Sequence, residues 1–209
     1  MELPRVPCRA WDVCLLKALL AEFMGTGIFL FTGLASITPW TQPAVDPGNP
    51  GITAQSHGGH LNPAVTVSML VAVKVRPAWA MCYILAQLLG GITASALLYG
   101  LTPEHARGEM GVNKFATPGQ HPDSVIVSFQ LVLCILATSG SKRDPSKGGH
   151  LVIGLSVMLG HLVAIGYTGC SMNPARSLGP ALITFEFANH WVKSGPLERI
   201  TTAGLQNRA

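Results

Sequence analysis

The sequence predicts an all-α membrane protein, a helical bundle of about four full spans joined by two half-length, re-entrant helices. Three observations carry that expectation. The chain is 48% hydrophobic and only 11% charged, whereas a soluble domain carries about 25% charged residues. Its apolar residues gather into stretches that approach or reach the ~20 needed to cross a hydrocarbon core of ~30 Å. And one short stretch occurs twice, as His60-Leu61-Asn62-Pro63-Ala64-Val65-Thr66-Val67 and as Ser171-Met172-Asn173-Pro174-Ala175-Arg176-Ser177-Leu178.

The first span is expected over Leu15 to Ile37, after a short basic end with Arg5 and Arg9. Lys17 sits near its start, where a long side chain can snorkel. Glu22 lies inside it, followed by Gly25, Thr26 and Gly27, small residues that let membrane helices approach closely. Pro39 to Gln55 holds four prolines and two glycines, a loop composition that cannot form a span. Ala78 to Leu101 is a clear span with Gln87 in its middle and Gly90-Gly91 at a packing face. A polar loop covers Thr102 to His121. Val125 to Ser139 is a span of marginal length, extended by Asp123 and Ser124, and a basic loop with Lys142, Arg143 and Lys147 follows. Leu151 to Tyr167 is the next span and holds His161. Residues 192–209, beyond Trp191, are too short to cross a bilayer.

Each Asn-Pro-Ala reads as the start of a helix. Asn is a strong N-cap, and Pro at the first helical position loses nothing, because its absent N–H has no partner there. The helices that follow, Ala64 to about Val73 and Ala175 to about Thr184, are too short to span. Two half helices in an apolar chain are expected to meet at the midplane, with their positive N-terminal ends facing a pore.

Composition excludes several classes. The net charge of +4 comes with no basic cluster interleaved with aromatics, which argues against nucleic acid. Cys8, Cys14, Cys82, Cys134 and Cys170 are scattered and odd in number, so neither a disulfide framework nor a metal site is expected, and no cofactor. The His and Cys residues lack a paired base, so no enzyme chemistry is expected. No cleavable signal precedes the first span, which is expected to serve as its own insertion signal.

Asn62-Pro63-Ala64-Val65-Thr66-Val67, Leu159-Gly160-His161-Leu162 and Gly169-Cys170-Ser171-Met172-Asn173-Pro174-Ala175-Arg176-Ser177 closely resemble the aquaporins, or major intrinsic proteins. The resemblance runs from about Leu15 to Thr38 and from Ser56 to Trp191, with a weak patch near Thr117–Asp123. It implies one transmembrane domain over residues 1–209, made of two repeats (about 15–101 and 123–191) and a tail. The aquaporin pattern has six spans and two half helices, and the second and sixth spans are expected to be missing here. The positive-inside rule sharpens the gap: the basic N-terminus, Lys74 with Arg76, and the 142–147 loop all belong in the cytoplasm, yet only a Pro-rich stretch and a half helix lie between Thr38 and Lys74. The expectation is either a truncated product or a chain completed by a partner.

In this reading Asn62 and Asn173 cap their half helices and offer amide N–H groups to a single file of water. Two donors and two positive helix ends then oppose proton hopping and cation passage. Arg176, nearly one turn after Asn173, is a charge at membrane depth and therefore a functional candidate. The resemblance places it in a constriction together with His161 and Cys170. The aromatic that completes this constriction comes from the second span, so a wider and leakier constriction is expected. The resemblance gives Glu22 the task of bracing the loop before the first half helix; the equivalent position of the second repeat falls near Asp123 or Ser124, of which Ser124 aligns best, so that brace is expected to be altered. Gln87 is either a support for this brace or a helix–helix hydrogen bond. The implied function is a passive water channel with water and the lipid bilayer as its partners, a homotetramer in the plasma membrane. Ser177 after Arg176, and His161, fit water better than glycerol. The alternatives are a truncated, non-conducting subunit and, less favoured, a glycerol or small-solute channel.

Overall fold

The computed structural model describes residues 8–38, 59–107, 110–112, 123–139, 149–168 and 171–187. Within them the chain is helical: α1 (Cys8–Ile37), α2 (Pro63–Val71), α3 (Pro77–Leu101), α4 (Glu104–Arg107), α5 (Asp123–Ser139), α6 (Gly149–Thr168) and α7 (Pro174–Thr184). No strand occurs among the described residues. The Pro-rich stretch, the 142–147 loop and the tail lie outside them.

Helix α1 begins seven residues before the expected Leu15, because the start of an apolar run marks a membrane boundary rather than a helix boundary. Its apolar part, Val13–Ile37, and all of α3 are long and apolar enough to cross a membrane. Helices α5 and α6 carry shorter apolar stretches, Ile126–Thr138 and Leu151–Ala164. Helix α3 starts on Pro77 at its first position, where the ring fits without loss. The short α4 falls in the segment expected as a loop.

Helix α2 stops two residues early, and its end is a definite motif. Val73 has φ +56°. Its N–H donates to the Leu70 carbonyl, and the Lys74 N–H donates to that of Met69. This is a Schellman closure with a β-branched residue in the left-handed position, where Gly is the usual choice.

The polarity of the bundle is the reverse of a water-soluble one. Leu16, Leu20 and Ile28 on α1 are 60–67% exposed, and Met81, Leu85 and Leu89 on α3 are similarly outward. Inside lie Glu22, Thr26, Thr66, Gln87, Ser95 and Ser156. An apolar exterior, with polar side chains sheltered inside beside the apolar clusters, suits lipid on the outside.

Helix α3 is the centre of one group, packing against α1 and α7, while α5 packs on α6. Helix α2 touches α3, α5 and α7 and so joins the two groups. Val65 of α2 is buried with Val127, Leu131, Val157 and Met172. Leu30, Ala94 and Ala175 form a second cluster between α1, α3 and α7.

Two glycines of α3 set the spacing of the first group. A Cβ on Gly90 would collide with the Phe23 carbonyl oxygen of α1, and one on Gly91 would stand 2.9 Å from that of Ala175. Both obstacles are backbone and cannot swing aside. Gly90→Ala is therefore expected to destabilise the protein by about 2–3 kcal/mol or more through forced separation of α1 from α3. Gly100→Ala is the control: its Cβ meets nothing within 4 Å, and Ala gains about 0.5–1 kcal/mol over Gly in a helix. Thermal unfolding in detergent measures both. Equal melting temperatures for the two variants would remove close packing as the reason for Gly90.

Candidate pore site at the facing half helices

Both half helices begin on the same chemistry. Asn62 has extended backbone, φ −156° and ψ 117°, and its side-chain oxygen accepts from the Ala64 N–H at 2.9 Å. Asn173, at φ −135° and ψ 110°, accepts from the Ala175 N–H at 3.0 Å. Pro63 and Pro174 occupy the first helical positions. The orphan N–H groups at each helix start thus gain an acceptor, which is what Asn at this position supplies.

The two caps are tied to each other. Asn62 Nδ2 donates to the Met172 carbonyl at 2.8 Å, and Asn173 Nδ2 donates to the Leu61 carbonyl at 2.8 Å. Each amide therefore reaches the residue that precedes the other amide. Both are buried, 3% and 6% exposed. Each Nδ2 carries a second hydrogen, which meets no protein acceptor among the described residues.

Leu61 pairs this arrangement with strain. Its φ is +51°, a left-handed conformation that costs an ordinary residue about 1–3 kcal/mol. Glu22 holds it there. Oε1 accepts from the His60 N–H and Oε2 from the Leu61 N–H, both at 2.8 Å. Gln87 Nε2 donates to Oε2 at 2.8 Å and reaches Thr66 Oγ1 at 2.9 Å. His60 Nδ1 and Thr66 Oγ1 lie 3.1 Å apart. Gln87 is wholly buried, and its amide bridges the Glu22 carboxylate and Thr66 of the half helix.

The second half helix is anchored differently. Ser177 Oγ donates to Ser171 Oγ at 2.6 Å, and Ser171 Oγ donates to the Asn173 carbonyl at 2.9 Å. The Ser171–Ser177 pair stands in the register of His60–Thr66. No side chain is described at Ser124.

Arg176 is partly buried, and its Nη1 donates to the Gly111 carbonyl at 2.5 Å. His161 is half-buried on α6, its Nδ1 lies 2.9 Å from the Val157 carbonyl, and it is within electrostatic range of the Arg176 guanidinium. Cys170 falls outside the described residues. No group of three or more His, Cys, Asp or Glu that could hold a metal ion occurs among the described residues.

Sequence reasoning passed over several participants: the Leu61 and Met172 carbonyls, His60, Thr66, Ser171 and Gly111. The first two share a register, each directly preceding a capping Asn, and that symmetry was a usable signal. Thr66 carried one too, four residues after Asn62 on the same helical face. Nothing in the sequence points from Gly111 to Arg176.

The family model described as Major intrinsic protein matches residues 49–197. The chain is 46% identical to aquaporin-5 of Sus scrofa over 202 residues, 87% of this chain and 76% of that protein. It is 45% identical to aquaporin-2 of Rattus norvegicus over 193 residues, 84% and 71% of the two chains. Among solved structures, the aquaglyceroporin from Plasmodium falciparum superimposes with a TM-score of 0.65, covering 82% of this chain and 81% of its own at 24% identity. That likeness shows the fold. An all-helical aquaporin-like fold, a family match across most of the chain and relatives of this identity lead to one assignment: the chain belongs to the major intrinsic protein family, whose members are integral membrane channels and not enzymes.

Proposed function

We propose that this chain is a passive water channel of the aquaporin type, with a single file passing Asn62-Pro63-Ala64, Asn173-Pro174-Ala175 and a constriction made by Arg176, His161 and Cys170. The observation that carries the reading is the reciprocal pair of capped, buried amides. Each has its oxygen and one hydrogen committed to backbone, which fixes the direction of the remaining hydrogen. Two fixed donors at the tips of two helix dipoles bind a water through its oxygen and leave it no acceptor there, so a proton has no onward path. The relatives' name, aquaporin, supports water as the permeant. Ser177 and His161 favour water over glycerol. Glu22 and Gln87 act as structural supports. We further propose a homotetramer in the plasma membrane, with water and lipid as its partners.

A second reading, a non-conducting subunit, draws on the sequence between the first span and the first half helix: Pro39 to Gln55 holds four prolines and two glycines, a composition that does not form a span. Osmotic shrinkage of proteoliposomes separates the two. The channel reading expects water permeability well above that of empty vesicles and glycerol permeability at the empty-vesicle level. Correctly inserted protein with no added water permeability would reject it in favour of the second reading, and glycerol entry would favour a small-solute channel.

A further inference from the structure

We propose that Arg107 is a positioning residue for the constriction, acting through Gly111 on Arg176; its effect on permeation rests on the water-channel reading. Arg107 ends α4 and folds back on the C-terminal end of α3. Its Nε donates to the Thr102 carbonyl at 2.9 Å and to the Tyr99 carbonyl at 3.2 Å, and its guanidinium carbon lies 4.6 Å from the centre of the Tyr99 ring. A cation at the carbonyl end of a helix is favourably placed. The 3.9 Å approach to Glu104 adds little, since that carboxylate is 92% exposed. Thr102 Oγ1 donates to the Leu98 carbonyl and closes the last turn of α3.

From this anchor the link runs by backbone. The Arg107 carbonyl accepts from the Met110 N–H at 3.1 Å. Met110 is buried, packed with Leu34 and Leu98. Met110 and Gly111 follow each other with φ +47° and +69°, a conformation that is strained for Met110 and persists where the surroundings hold it. Gly111 also has no room for a side chain: a Cβ would stand 2.7 Å from Ile37 Cδ1 and 3.0 Å from Leu34 Cδ2. The carbonyl of Gly111 is the one that accepts from Arg176. The Arg176 guanidinium is thus held from outside the half helix that bears it, at the end of a link that begins at Arg107. Removing the Arg107 side chain loosens the turn, and Arg176 loses the hold of one acceptor, the Gly111 carbonyl.

The test compares Arg107→Ala, Arg107→Lys and Gly111→Ala. In proteoliposomes, Arg107→Ala and Gly111→Ala are expected to raise the urea-to-water permeability ratio by about fivefold or more, since small misplacements of a positioned group have effects of this order or larger. Arg107→Lys, which keeps the charge but not the two-carbonyl grip, falls between. A role confined to folding would lower both permeabilities together and leave the ratio unchanged, and that result overturns the proposal. A second readout does not need conduction. In protein labelled with ¹⁵N-arginine in micelles, the Arg176 guanidinium is expected to rotate measurably faster in Arg107→Ala than in the parent. Equal rotation rates in both overturn the proposal even if the chain conducts nothing, whereas a silent channel with the expected NMR change leaves this inference standing and the water-channel reading refuted. Should Arg107→Ala fail to accumulate, Arg107→Lys and Gly111→Ala carry both readouts.

Discussion

Glu22→Gln is expected to lower the unfolding temperature of the detergent-solubilised protein by about 10 °C, or to prevent its accumulation altogether. The carboxylate is 4% exposed and serves three donors, the His60 and Leu61 N–H groups and the Gln87 amide. A Gln side chain keeps one acceptor oxygen and turns the other position into a donor. At least one backbone N–H then faces an NH₂ group with no water to replace the lost bond. Leaving buried donors unpaired costs about 1–3 kcal/mol each, so a total on the order of 3–5 kcal/mol is expected. Part of that loss reaches the pore site: Leu61 has less reason to keep φ +51°, and its carbonyl is the acceptor of Asn173. A Glu22→Gln protein melting within about 2 °C of the parent would show that the network is not what holds the loop.

Arg176→Val is expected to raise the ammonium-to-water permeability ratio about tenfold or more without abolishing water passage. A cation about 5 Å from the guanidinium at an effective dielectric near 20 meets a repulsion of ~3 kcal/mol, about a hundredfold in rate. The two helix ends at Asn62 and Asn173 still oppose cations, so the full factor is not expected. Stopped-flow measurements on proteoliposomes give both permeabilities from one preparation. An unchanged ratio would mean that Arg176 does not face the permeation path.

How much of this was legible in the sequence follows from the range of each interaction. The half-helix starts were readable because capping is local: Asn, Pro and the donating N–H lie within three residues. Glu22 was readable as a group that needs partners, because a carboxylate in an apolar helix is costly. Which partners it takes was not, since His60 and Leu61 stand 38 and 39 residues away and are recruited through their backbone, which carries no side-chain signature. The short α4 and the left-handed turn at Met110–Gly111 were illegible for another reason. They sit in a polar segment with no apolar period, and their conformation is set by Arg107 and by the packing of Leu34 and Leu98. The early end of α2 was hidden by Val73, a residue type that rarely takes the left-handed position.

The crossed bonds between Asn62 and Met172 and between Asn173 and Leu61 join positions 110 and 112 residues apart. A ribosome adding about 5–20 residues per second delivers the second partner roughly 5–20 s after the first. During that interval the first amide has no counterpart. Glu22, Thr66 and Gln87, by contrast, have all been synthesised long before, so the nascent first half can shelter its polar loop using only residues already made. The last step of biogenesis is then a docking of two preassembled halves, and a chain stalled before residue 171 would display a folded but unmated half-site to the quality-control machinery.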